Sequence, residues 1–92
     1  MNAEEMKYKI KQSVARVLGI SVDEISDTAS YADELKLDSL SLMEVVVDLE
    51  FQLGIKIQEE EIPMIRTVED TFRLAQQKLS EPQLAPPSAV EA

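Results

Sequence analysis

Ninety-two residues make one small domain, near the size at which a single apolar core becomes workable, and leave no room for a large composite active site. The chain holds no Cys, His or Trp, so thiol nucleophiles, disulfides, imidazole bases and the usual zinc and haem ligands are excluded together. Nine Lys and Arg against eighteen Asp and Glu give a net charge of −9, which disfavours nucleic acid and anionic lipid as partners and favours basic protein surfaces.

Along the chain, Met6, Ile10, Val14, Val17 and Leu18 recur at spacings of three and four, predicting an amphipathic helix over 3–18 that Gly19 ends. Its start carries no apolar leader, and no apolar run is long enough to cross a bilayer, so a cytoplasmic protein without membrane insertion is expected. Over 20–38, Ser21 and Glu24 form a capping-box pattern for one short turn, and Ile25, Tyr31 and Leu35 are expected to pin a long ordered connection to the core.

A second helix fits 39–53, capped by Asp38 or Ser39 and stopped by Gly54, about 22 Å long. Val45 to Val47 favour strand by propensity, so a buried strand over 43–49 competes, but length, cap and the interspersed Glu44, Asp48 and Glu50 argue for helix. Residues 55–57 read as a short extended lead-in. Glu59, Glu60 and Glu61 then supply the negative first turn of a short third helix, whose regularity Pro63 limits. Thr67 with Asp70 caps a last helix expected to turn Val68, Phe72, Ala75 and Leu79 inward. The expected fold is therefore all-α: a small four-helix bundle, three longer helices plus one short, with a long loop between the first two. The domain is expected over 1–79, with 80–92 as a disordered Pro-rich tail.

The acidity is concentrated. Residues 1–18 carry +2, whereas 23–61 hold twelve acids against Lys36 and Lys56 for −10. A run of charge is ordinarily a solvated helix face. Catalytic templates fail: there is no triad, no glycine-rich phosphate loop with only Gly19 and Gly54, and no calcium loop or other metal set. Glu44 and Asp48, spaced i to i+4, have the spacing of an acid–base pair, but nothing points to an apolar pocket that would separate their pKa values.

What remains is Asp38-Ser39-Leu40 at the start of the second helix, a tripeptide that alone reads as a helix cap. In context it says more. The stretch from Ala32 to Ala75 resembles the acyl carrier protein family without a gap: Leu35 closing the loop, Asp38-Ser39-Leu40, Glu44 and Leu49-Glu50 along the second helix, the 55–57 lead-in, the Glu59 to Glu61 turn, and Thr67-Val68. The first helix and Gly19 extend the resemblance over 3–79.

The resemblance implies a carrier and not an enzyme. A phosphopantetheinyl transferase would attach a 4′-phosphopantetheine arm from coenzyme A to Ser39, with Asp38 and Leu40 completing the motif. Acyl groups would ride on the arm as thioesters, and the arm's thiol would be the only one in a cysteine-free chain. Val45, Val46, Leu49, Ile62 and Ile65 are the expected walls of an acyl pocket opening between the second and third helices, each buried CH₂ gaining about 0.8 kcal/mol before the cost of opening. Asp38, Glu44, Asp48 and Glu50 with Glu59, Glu60 and Glu61 would draw basic patches on acyl synthases, transferases or ligases to a monomeric carrier. Val47 and Met43 either add apolar contacts or belong to the core.

Departures from the family pattern are local. Lys36 stands where many carriers of bacterial fatty acid synthesis have Gly, Ser41 where they often have an acid, and Leu37 gives a Leu-Asp-Ser-Leu run more like polyketide or specialised carriers. Peptidyl or aminoacyl carriers use the same arm, and an arm-free acidic helical adaptor is the reading from a different class.

Overall fold

Asn2 begins the first helix by exchanging two bonds with Glu5: its side chain accepts from the Glu5 amide at 2.8 Å, and the Glu5 carboxylate accepts from the Asn2 amide at 3.1 Å. This is a capping box, made with Asn in place of Ser or Thr. The structure, a computed structural model, describes residues 2–80. Helix α1 runs Ala3–Leu18 and stops where Gly19 turns left-handed at φ 71°, its amide donating back to the Ala15 carbonyl at 2.7 Å. Met6, Ile10 and Val14 face the core, while Val17 and Leu18 are only half-buried.

The expected turn after α1 is a 3-10 turn, Val22–Glu24, with the Ser21–Glu24 box formed. Three anchors hold the connection that follows. Asp27 sits between Lys11 at 2.6 Å and Lys7 at 3.1 Å, and its carbonyl accepts from the Glu69 amide. Ser30 pairs with Thr67 in an isolated antiparallel bridge, and the Tyr31 amide donates to the Arg66 carbonyl at 2.8 Å. The Tyr31 ring is buried, its hydroxyl 2.6 Å from Thr71 Oγ1, which itself donates to the Thr67 carbonyl. Ile25 and Tyr31 are core residues as expected. Leu35 is only half-buried, and Leu37, two residues on, takes the buried position instead.

Helix α2, Ser39–Leu53, is capped by Asp38 and ended by left-handed Gly54 at φ 67°. Its valines settle the strand alternative by where they point. Val45 and Val46 are buried with Leu49 and Leu53, whereas Val47 faces solvent; the 45, 49, 53 repeat is one face of a helix. After the extended 55–57 stretch, which buries Ile57, a 3-10 helix spans Glu59–Met64 around Pro63. Pro63 has no amide hydrogen to donate to a regular α-turn there.

Helix α3, Val68–Ser80, starts from Thr67, whose hydroxyl accepts from the Asp70 amide at 3.0 Å. Val68 and Ala75 are buried as expected. Thr71 and Leu74 are buried with them, Phe72 is half-buried under the Lys7 ammonium, and Leu79, although in line with Val68 and Ala75, is exposed in the last turn of the helix. Helix α1 packs on both α2 and α3, and Ile10, Val14, Val45, Leu49 and Val68 form the dry centre. The described residues hold three α-helices and one longer 3-10 segment, so the all-α bundle stands. Ser80 belongs to the last turn of α3, and 81–92, expected to be a disordered tail, lie outside the described residues.

Candidate functional site

Ser39 is the first residue of α2, and Asp38 before it is the cap. The Asp38 carboxylate accepts from the Ser41 amide at 2.8 Å, a bond that holds this carboxyl below the usual carboxylate range, so it stays charged into acid. With that first-turn amide met by Asp38, Ser39 has no capping duty. Its side chain is exposed and makes no hydrogen bond among the described residues. A nucleophilic oxygen thus projects into solvent at the positive end of a fifteen-residue helix, where a phosphate gains from the helix dipole.

The backbone leading to Ser39 is held firmly. The Leu37 amide donates to the Tyr31 carbonyl at 2.8 Å, and between these anchors Lys36 is forced to φ 60°. That left-handed conformation costs a residue with a Cβ about 1 kcal/mol or more. A cleft of about 230 Å³ opens next to this loop, walled by Leu37, Leu42 and Ile65 and rimmed by Ser30, Asp33 and Arg66. Of the expected acyl-pocket residues, Ile65 lines it, Val45, Val46 and Leu49 lie behind in the core, and Ile62 is half-buried. Leu42, one turn past Ser39 on α2, was not anticipated; it follows Ser39 at i+3, the spacing that puts two residues on one helix face.

The acidic residues divide. Glu44 is exposed and makes no bond among the described residues, and Glu59 and Glu60 are exposed as well. Three others serve the fold. Asp48 accepts from the fully buried Ser13 hydroxyl at 2.5 Å and pairs with both its oxygens against Arg16, at 2.8 and 2.9 Å. Glu50 folds over Gly54 to accept from the Ile57 amide at 2.8 Å, with Lys56 4.0 Å away. Burial pushes the Glu61 carboxyl up, but the Lys78 ammonium at 2.7 Å and the Gln58 amide outweigh it and leave it below its ordinary value. Asp48, Glu50 and Glu61 were expected on a recognition face; Asp48 and Glu61 are each paired with a cation, and Glu50 keeps its charge while bonded to a backbone amide.

Apolar side chains share the outer face of α2 with these acids. Leu40, Met43, Val47 and Phe51 are exposed along α2, so Val47 and Met43 are surface and not core. Phe51 had no expected role, although its i+4 spacing from Val47, opposite Val45 and Leu49, signals an outward position.

A family model described as "Phosphopantetheine attachment site" matches residues 9–74. The acyl carrier protein of Petrotoga mobilis is 34% identical over 80 residues, covering 87% of this chain and 94% of that protein. The meromycolate extension acyl carrier protein of Mycobacterium leprae is 38% identical over 89 residues, covering 97% of this chain and 74% of its own. The solved structure of acyl carrier protein from Enterococcus faecalis superposes with a TM-score of 0.70 at 29% identity, covering 85% of this chain and 99% of that one.

Proposed function

The chain belongs to the acyl carrier protein family, whose members carry a covalent 4′-phosphopantetheine group, and from that premise we propose that Ser39 is the attachment point. The observation that carries this reading is an exposed, unbonded serine hydroxyl at the first position of a capped helix, in sequence between Leu37 and Leu42, which both line a cleft. These residues fit the group: the helix terminus suits a phosphate, and Leu37, Leu42 and Ile65 suit an aliphatic chain.

The chain is a carrier and not an enzyme, modified by a phosphopantetheinyl transferase and acting with acyl-handling enzymes. Among the described residues no basic side chain is bonded to Ser39 to take its proton, and in this reading the transferase supplies the base. In that step Ser39 Oγ would gain a bond to phosphorus as the pyrophosphate P–O bond of coenzyme A breaks, its proton passing to the transferase base and adenosine 3′,5′-bisphosphate departing, to leave a phosphodiester on the chain. When bound, the group supplies a thiol that holds cargo as a thioester.

Acyl intermediates of fatty acid, polyketide or specialised lipid synthesis are the cargo of this reading. Leu37, Leu42 and Ile65 guide a chain into the cleft, and Val45, Val46, Leu49 and Ile62 give way behind them. Each CH₂ moved out of water contributes about 0.8 kcal/mol against the cost of parting a packed interior. Asp38, Glu44, Glu59 and Glu60 contribute the free negative charge that basic partner surfaces meet.

Intact mass after incubation with coenzyme A and a broad-specificity phosphopantetheinyl transferase tests the assignment. Wild type gains one arm and Ser39→Ala gains none. An unmodified wild type, or a gain that persists in Ser39→Ala, removes Ser39 from this role.

A further inference from the structure

The cleft next to the loop before Ser39 changes character from floor to mouth. Leu37 and Ile65 are buried and Leu42 is half-buried, whereas Asp33 and Arg66 are exposed and Ser30 lies between these extremes. Apolar walls with a few convergent polar groups are the make-up of a site that orients what it holds. At the roughly 30 Å³ that a water-sized group occupies in a liquid, 230 Å³ takes about seven or eight non-hydrogen atoms.

The rim is fixed in place and chemically unspent. The Arg66 carbonyl accepts from the Tyr31 amide at 2.8 Å, and the next residue, Thr67, bridges to Ser30, so the backbone under both rim side chains is set. Ser30 Oγ accepts from the Asp33 amide at 3.0 Å and keeps its own hydrogen to give. The Asp33 carboxylate and the Arg66 guanidinium have no partner among the described residues. Six of the nine basic side chains meet a carboxylate, which leaves Lys9, Lys36 and Arg66, and of these only Arg66 borders this cleft.

Such a rim suits a neutral oxygen. A carboxylate would gain from Arg66 but meet Asp33 on the same rim, and a cation would gain from Asp33 but meet Arg66. A ketone accepts from the guanidinium, and a hydroxyl accepts from it while donating to Asp33. A chain delivered by an arm from outside keeps its thioester end at the mouth and its far end against Leu37, Leu42 and Ile65, so the oxygen that meets the rim is one close to the thioester. Resting on the carrier reading, we propose that Arg66, helped by Ser30 and Asp33, makes the cleft favour acyl cargo with a ketone or hydroxyl on the β carbon over the fully reduced chain. Arg66 is a specificity residue for cargo in this proposal and takes no part in bond making.

The test loads the full chain by a broad-specificity phosphopantetheinyl transferase from amide-linked coenzyme A analogues. These carry a saturated, β-keto or β-hydroxy eight-carbon chain, or a malonyl group, and Tm is read against the same chain with the bare arm. The β-keto and β-hydroxy cargoes are expected to raise Tm by about 4 °C more than the saturated one, as one hydrogen bond does in a domain of this size. Arg66→Leu is expected to erase that advantage, Arg66→Lys to keep about half of it, and Asp33→Ala to trim only that of the hydroxyl. Both side chains are exposed, so the variants fold, and each is referenced to its own bare-arm form. Saturated and oxygenated cargoes that melt within about 1 °C of each other in wild type, or an advantage that survives Arg66→Leu, would overturn the proposal. A larger gain from malonyl cargo, lost in Arg66→Leu, would make the rim a carboxylate site and overturn it too. A wild-type chain that gains no mass from any analogue fails the carrier reading itself and this inference with it, whereas loading without discrimination fails this inference alone.

Discussion

Replacing Asp48 by Ala separates two accounts of α2. Were Asp48 a solvated recognition acid, its loss would move stability by no more than about 0.5 kcal/mol. The structure gives it more to do. Ser13 is fully buried and its hydroxyl donates to Asp48 at 2.5 Å, so Asp48→Ala strands a buried donor, a cost of about 1–3 kcal/mol. Arg16 is exposed, and losing its pair adds at most about 1 kcal/mol. A loss of about 2–3 kcal/mol follows, which in a domain of this size lowers Tm by roughly 10–20 °C. Urea unfolding followed by circular dichroism measures it. Arg16→Ala is expected to lose less than about 1 kcal/mol and Ser13→Ala about 1 kcal/mol, with the Ser13–Asp48 double variant falling short of additivity by about 1 kcal/mol. Asp48→Ala within about 0.5 kcal/mol of wild type, or strict additivity with Ser13→Ala, would refute the reasoning.

Lys36→Gly should stabilise the fold by about 1 kcal/mol, roughly 5 °C in Tm, because it relieves the left-handed backbone at φ 60°, and Lys36→Ala, which removes the charge but keeps a Cβ, should not; equal melting of the two variants would contradict this. The Asp27 carboxyl is held low first by Lys11 and then by Lys7, so its folded pKa lies beneath its unfolded one. Its stabilisation is therefore complete above about pH 5 and lost as pH falls through the folded value, and the Tm gap between wild type and Asp27→Asn should close over that range. Leu49→Ala should cost about 2–5 kcal/mol in the arm-free chain, since Leu49 is fully buried. Loading an aliphatic acyl group should narrow that deficit by refilling the space, and an equal deficit with and without cargo would count against Leu49 as a pocket wall.

Helices α1 and α2 were legible to the residue because each ends at a glycine that takes positive φ, and because Asp38 carries the oxygen that a first-turn amide needs. Ser39 was legible for a different reason: its neighbours resemble a known family's motif, and the residue taken alone is one more helix-start serine. The bonds that three of the acids make within the chain were not legible, for want of distance information. Asp48 meets Ser13 and Arg16 across more than thirty residues of chain, and Glu61 meets Lys78 on another helix. No local pattern distinguishes such a carboxylate from the solvated Glu44. Leu37 displaced Leu35 from the interior because the bond to the Tyr31 carbonyl fixes which side of the loop turns inward, and that bond depends on α3 holding Tyr31.

The anchoring of Tyr31 also bears on the order in which the protein assembles. The segment that presents Ser39 is held in place by Arg66, Thr67 and Thr71, contacts that span some forty positions of sequence. Contacts of such separation form late, because the intervening chain must first be confined. A nascent chain whose α3 has not yet emerged owns the serine and its helix but lacks the brace that sets the approach to them. The presentation of Ser39 is thus a property of the finished domain, completed from its C-terminal side.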